Sequence, residues 1–138
     1  MLSGVPVLWL SKLQSEISLS TFEAEYIALS TAMRDLLPFQ SLLQEISSSV
    51  GLSPIITSTI HTRVWEDNAA AEKLAKLEPT QVTPRSKHFV VKYHWFRSKL
   101  STSISILRVC STENIGDIFT KGLRIASFQH LRKKLCGW

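Results

Sequence analysis

Cysteine is scarce in this chain: only Cys110 and Cys136 occur among 138 residues. Two are too few for a disulfide framework and too isolated for a zinc site. They are expected as reduced thiols in or near the core of a cytosolic or nuclear protein. No run of about eighteen apolar residues exists, so no transmembrane helix is expected. The opening residues Met1-Leu2-Ser3-Gly4-Val5-Pro6 lack the basic stretch of a secretory signal. Low-complexity tracts, internal repeats and a domain boundary are also missing. With four Trp and six Phe to bury, the chain is expected to form one domain, residues 1–138, around a single core.

Negative charge is missing from one stretch. Residues 85–99 carry Arg85, Lys87, Lys92, Arg97 and Lys99 with no acid. Residues 1–80 show the reverse, five Lys/Arg against nine Asp/Glu, and residues 100–138 return to six basic against two acidic. The net +5 therefore hides an acidic part suited to cations and a basic part suited to a polyanion, most commonly a phosphate backbone. The plainer interpretation is a solvated basic helix face with a basic tail.

Apolar spacing supplies the elements. Val5–Leu13 is expected as a strand, with Pro6 near its start. Ser20 followed by Glu23 has the capping-box pattern, and Phe22, Tyr26, Leu29, Met33 and Leu36 recur as one helical stripe. Pro38 is expected to kink or interrupt that helix, and 47–58 to form a loop. A strand over Ile60–Trp65, a short helix over Ala69–Leu77 and a connector with Pro79 and Pro84 follow. His88–Leu100 is expected as a basic helix, Ile104–Cys110 as a strand, and Glu113–Lys121 as a helix capped by Thr112 and stopped by Gly122. Ile125–Leu135 closes the chain as an amphipathic helix. The class is mixed α/β.

Three carboxylates sit at the edges of these elements. Glu25 is in the first turns of the long helix, Asp67 follows the strand ending at Trp65, and Asp117 is near the start of a short helix. Oxygen ligands converging from a helix, a strand end and a second helix suit hard divalent ions. Two such ions can clamp the attacking and leaving oxygens of a phosphodiester. No carboxylate able to bridge both ions is evident. Each residue also has a bland role: Glu25 beside the helix dipole, Asp67 as a plain N-cap, Asp117 on a surface helix. His88 and His94, six positions apart, complete no zinc set. His88 is expected to touch phosphate or cap its helix, and His94 to be packed. Tyr93, Trp95 and Phe96 are expected mostly in the core.

Four stretches, in order and at matching spacing, resemble the ribonuclease H domain at the C-terminal end of copia-type retrotransposon polyproteins. They are Leu8-Trp9-Leu10-Ser11-Lys12-Leu13-Gln14 running into Leu19-Ser20-Thr21-Phe22-Glu23-Ala24-Glu25-Tyr26-Ile27-Ala28-Leu29; Trp65-Glu66-Asp67-Asn68; Arg85-Ser86-Lys87-His88 with Lys92-Tyr93-His94; and Asn114-Ile115-Gly116-Asp117-Ile118-Phe119-Thr120-Lys121-Gly122-Leu123. The resemblance covers nearly the whole chain.

It implies a ribonuclease H-like fold, a mixed sheet flanked by helices, here a partial domain without its first strand or strands. It also implies two Mg²⁺ ions and hydrolysis of the RNA strand of an RNA·DNA hybrid. Matched by position, Glu25, Asp67 and Asp117 are the implied catalytic and metal-binding residues. The family's first aspartate has no counterpart, so weak or absent activity of the chain alone is expected. Val90 stands where the family usually has an aspartate. Arg85, Lys87, His88, Lys92, Arg97 and Lys99 are the expected nucleic-acid-binding residues. The implied partners are hybrid or other nucleic acid and an upstream reverse-transcriptase region, with no membrane. The implied location is intracellular, in a cytoplasmic virus-like particle or the nucleus. The rival is a non-catalytic nucleic-acid-binding remnant using 85–99 and 124–134. An integrase core of the same superfamily fits less well, because it spaces its acids differently. Unpaired sheet edges are expected to favour self-association.

Overall fold

Capping chemistry and apolar spacing together set the longest element. The computed structural model describes residues 4–51, 60–78, 81, 94–100 and 103–138, and its first helix, α1, runs Thr21–Ser49. The Glu23 N–H donates to Ser20 Oγ (3.3 Å), and the Leu19 N–H donates to Glu23 Oε2 (2.7 Å). Two backbone donors at the helix start are thereby satisfied, much as in a capping box. Tyr26, Leu29 and Met33 are buried, with Phe22 and Leu36 packed beside them. The expected stripe is therefore the face that α1 buries. The expected break at Pro38 does not occur, and α1 continues to Ser49. Pro38 is exposed, so water can reach the carbonyl one turn back that proline leaves without a donor.

Strand β1 (Thr62–Glu66) pairs in parallel with β2 (Ile104–Arg108), Thr62 opposite Ile104 and Glu66 opposite Arg108. Side chains alternate as the pleat requires. Val64, Ile104 and Ile106 face the core, while Arg63 and Trp65 are exposed. Parallel neighbours need a crossover, and its described parts are helix α2 (Ala69–Ala75) and a 3₁₀ turn at Trp95–Lys99. Ala71, Leu74, Ala75 and Phe96 close the core against α1. Helices α3 (Asp117–Thr120) and α4 (Ile125–Cys136) follow β2. Gly137, with φ of 82°, ends α4 in the left-handed conformation that glycine adopts without strain. The result is a mixed α/β arrangement with a two-strand parallel sheet among the described residues.

Two buried polar side chains tie the layers together. Gln40 Nε2 donates to the carbonyls of Ile60 (2.9 Å) and Ser103 (3.3 Å), linking α1 to the entry points of both strands. Arg97 is 3% exposed. Its guanidinium donates to the carbonyls of Leu77 (3.0 Å), Gln81 (3.0 and 3.1 Å) and Glu78. It pins the segment leaving α2.

Several expectations need correcting. Residues 6–13 form no ladder, and Val5, Leu8, Trp9, Leu10 and Leu13 stay largely exposed; without a partner strand among the described residues, apolar alternation alone cannot hold them extended in a sheet. The basic helix is described only from His94, where it is a 3₁₀ turn; the part at 88–93 lies outside the described residues. The helix expected at Glu113–Lys121 is split into a 3₁₀ turn, Ser111–Glu113, and α3. Asn114 Oδ1 accepts the Gly116 N–H (3.1 Å), a local bond that competes with helix continuation. Thr112 lies inside that turn instead of capping a helix. Cys110 and Cys136 are free but exposed, not in the core.

Candidate metal centre

The end of β1 is where the acidic residues meet. The strand stops at Glu66, and Asn68 starts α2 by accepting the N–H groups of Ala70 (3.0 Å) and Ala71 (3.2 Å) on its Oδ1. Capping thus falls to Asn68, which leaves Asp67 without the bland role of a plain N-cap. Glu25 reaches the same place from the first turns of α1. Glu25, Glu66 and Asp67 each offer a carboxylate oxygen, and these atoms lie within 4.8 Å of one another.

Asp117, at the start of α3 and 6% exposed, joins through a cation. Lys121 Nζ lies 2.9 Å from Asp117 Oδ1 and 3.0 Å from Oδ2, and 3.6 Å from Asp67 Oδ2. The three carboxylates proposed from sequence therefore share one locality. An all-oxygen donor set of this charge fits a hard divalent ion such as Mg²⁺.

The crowding is visible in the proton affinities. Burial pushes the Glu25 carboxyl above its ordinary value, helped by the negative charges of Asp67 and Asp117 and opposed by Lys121. Glu66 is pushed up to about 7, first by burial and then by Glu25 and Asp67, against the opposing pull of the Asn68 N–H bonded to its Oε1 (2.9 Å). Lys121 is held above its usual range, chiefly by its hydrogen bond to Asp117. Like charges so close together cannot all ionise cheaply, and a cation relieves the cost.

Glu66 and Lys121 are the residues that sequence reasoning passed over. Both carried a signal. Glu66 shares the inward phase of β1 with Thr62 and Val64, so an acid there had to be buried. Lys121 follows Asp117 by four positions, the spacing at which helical side chains meet.

The expected nucleic-acid-binding residues fare differently. Arg85, Lys87, His88 and Lys92, together with Val90, lie outside the described residues. Lys99 is exposed. Arg97 is a correction: its donors are spent on backbone carbonyls inside the protein, because a buried cation must be fully hydrogen-bonded. On α4, Arg124 and Lys133 are exposed, Lys134 pairs with Glu113, and the Arg132 guanidinium sits over the Trp138 ring at 4.9 Å.

His94 is packed, as expected. It is 6% exposed, shares a 2.6 Å hydrogen bond between its Nδ1 and Tyr26 Oη, and meets the Tyr26 ring edge-on at 5.2 Å. Burial, aided by Arg97, pushes it down to about 4. The same burial raises Tyr26. This pair ties the first turns of α1, where Glu25 lies, to the segment that enters the 3₁₀ turn. Phe96 is fully buried and Trp95 is partly exposed.

No protein-family model matches the chain, and no solved structure matches it significantly. Curated proteins do. The retrovirus-related Pol polyprotein from transposon TNT 1-94 of Nicotiana tabacum is 32% identical over 139 aligned positions, covering 98% of this chain and 9% of the polyprotein. Those from transposons RE2 and RE1 of Arabidopsis thaliana are each 28% identical over 131 positions, covering 94% of this chain and 8% of the polyprotein. The chain therefore spans less than a tenth of the length of these relatives. Along nearly all of its own length it is similar to a short stretch of retrovirus-related Pol polyproteins from plant transposons.

Proposed function

We propose that the chain is a ribonuclease H-like portion of a retrotransposon Pol polyprotein. In this reading Glu25, Asp67 and Asp117 hold divalent ions for hydrolysis of the RNA strand of RNA·DNA hybrids. The observation that carries it is the meeting of carboxylates from α1, the end of β1 and the start of α3 at one locality. The similarity to Pol polyproteins supports a nucleic-acid substrate. It also supports the upstream region of the same polyprotein, in this reading the reverse transcriptase, as the natural neighbour; the place of work we assign to the chain is a virus-like particle or the nucleus.

Glu25, Glu66 and Asp67 would hold an ion, and Asp117, linked to Asp67 through Lys121, would contribute to the same centre. Bound there, such ions supply an activated water and stabilise the departing 3′-oxygen. The rest falls to this chain. Burial of Glu66 and Asp117 excludes water from behind the carboxylates, and the Asn68 N–H fixes the Glu66 carboxylate in place. Tyr26, held by His94, fixes the turn of α1 that carries Glu25.

The copia-type domains that the sequence resembles have a first aspartate with no counterpart among these 138 residues. The chain alone is accordingly expected to cleave slowly or not at all. The test is a labelled hybrid incubated with Mn²⁺ or Mg²⁺ and the chain, alone and fused to the upstream reading frame. Cleavage by the fused form that disappears in Glu25→Gln and Asp67→Asn is the expected result. Cleavage indifferent to both substitutions contradicts the assignment.

A second reading, nucleic-acid binding without catalysis, draws on exposed Arg124 and Lys133 of α4 together with Lys99. Binding that persists in both variants, with no cleavage in any form, would favour it.

A further inference from the structure

The cation already present among the carboxylates is not built like the other internal cation of this protein. Arg97 is 3% exposed and spends its guanidinium on the carbonyls of Leu77, Glu78 and Gln81. It cannot leave without unmaking the fold around it. Lys121 stands at the C-cap of α3 with its side chain 48% exposed. Its ammonium meets carboxylates: Asp117 at 2.9 and 3.0 Å and Asp67 at 3.6 Å. An ammonium on a four-carbon stem, half in water, can swing away and recover its hydration at little cost. Its ammonium therefore occupies two of the carboxylates that would hold the ions, Asp67 and Asp117.

We propose that Lys121 is a displaceable counter-cation: it occupies the divalent-ion position while the centre is empty, and it must leave for an ion to enter. The inference rests on the metal-centre reading above and adds to it the residue that sets ion affinity. Without Lys121 the carboxylates would repel one another, and the metal-free chain would be strained at this edge of the sheet. With it, the centre stays intact and weakly bound ions are excluded, because each must outcompete a tethered positive charge.

The test uses the full chain and two readouts. Mn²⁺ is titrated by calorimetry into wild type, Lys121→Met, Lys121→Gln, Lys121→Arg and Asp67→Asn. Lys121→Met and Lys121→Gln are expected to bind about tenfold more tightly than wild type, the order expected for removing a competing unit charge in a partly solvated site. Lys121→Arg keeps the charge and is expected to remain within about twofold of wild type. In the unmutated chain, acylation of the Lys121 amine, followed by peptide mass spectrometry, is expected to speed up several-fold when Mn²⁺ saturates the centre. This arm does not depend on any variant folding.

Equal Mn²⁺ affinity in wild type, Lys121→Met and Lys121→Gln, with binding lost in Asp67→Asn, overturns the role of Lys121 and leaves the metal centre standing. Acylation unchanged by saturating Mn²⁺ also overturns it. No Mn²⁺ binding in any form removes the metal centre, and this proposal with it.

Discussion

Two charged regions of this protein handle charge in opposite ways. Around Tyr26, His94 and Arg97, polar groups are buried and nearly every one is matched by a fixed partner. At the end of β1, carboxylates from three elements are crowded together and relieved by one half-exposed lysine. The first region stabilises, since its buried groups are hydrogen-bonded, except for His94 Nε2, which has no partner among the described residues. The second is held together despite its charge, and such crowding points to a ligand that the fold by itself does not supply.

The contrast predicts a ranking. Arg97→Met should destabilise most, by about 3 kcal/mol, because it removes every guanidinium hydrogen bond that ties Leu77, Glu78 and Gln81 at the α2 exit to the fold. Lys121→Met, in a half-exposed pair, should cost no more than about 1 kcal/mol. Urea unfolding of both variants compares them directly, and the reverse order would break the distinction.

The pH dependence should also divide. Glu66 titrates near 7 folded against 4.5 unfolded, so the folded chain keeps that proton longer. Its burial costs nothing below about pH 4.5 and destabilises progressively as pH rises through 7. Glu66→Gln should therefore raise metal-free stability at pH 8 by on the order of 1–3 kcal/mol and leave pH 4.5 unchanged. His94 has the opposite sense. It titrates near 4 folded against 6.5 unfolded, so the unfolded chain takes the proton first. Its contribution is complete above about pH 6.5 and is lost as pH falls toward 4. Urea midpoints from pH 4 to 8 should show the Glu66 loss on the alkaline side disappear in Glu66→Gln while the acid-side loss remains.

Next in size is Tyr26→Phe, which removes the hydroxyl bonded to His94 and should cost about 1–2 kcal/mol by urea unfolding. The smallest effect concerns the exposed cations. Replacing Lys99 and Lys133 with alanine should flatten the salt dependence of hybrid binding by about one unit of slope for each phosphate left without its lysine. Arg97, already spent inside the protein, should add nothing to that slope in any variant that folds.

Much of the second region was legible in sequence. Ser20 and Glu23 announced the start of α1, the Phe22-to-Leu36 stripe announced its buried face, and the strand and helix flanking Asp67 fell nearly where alternation put them. Glu25, Asp67 and Asp117, which the structure brings to one locality, stand out in sequence because each sits at an element's edge within a recognisable stretch. What escaped depended on tertiary partners. Glu66 was overlooked because an acid beside a ligand candidate reads as decoration until its inward phase is counted. Arg97 is expected among the nucleic-acid-binding residues because charge runs do not reveal which cation folds back onto carbonyls. Val5–Leu13 alternates like a strand, but alternation says nothing of whether a neighbour exists to pair with it. Leu8, Trp9, Leu10, Leu13, Ile17 and Leu19 are exposed and should promote association at high concentration, as light scattering would show.

In the proposed reading the carboxylates at the end of β1 form a divalent-ion centre. It is tested most directly by electron paramagnetic resonance of Mn²⁺ titrated into the unmutated chain and into Glu25→Gln, Asp67→Asn and Asp117→Asn. Saturable Mn²⁺ binding by the unmutated chain is expected, weakened in all three variants and most in Asp67→Asn, which faces both Glu25 and Lys121. Mn²⁺ binding of equal strength in all four proteins, or none in any of them, would contradict it.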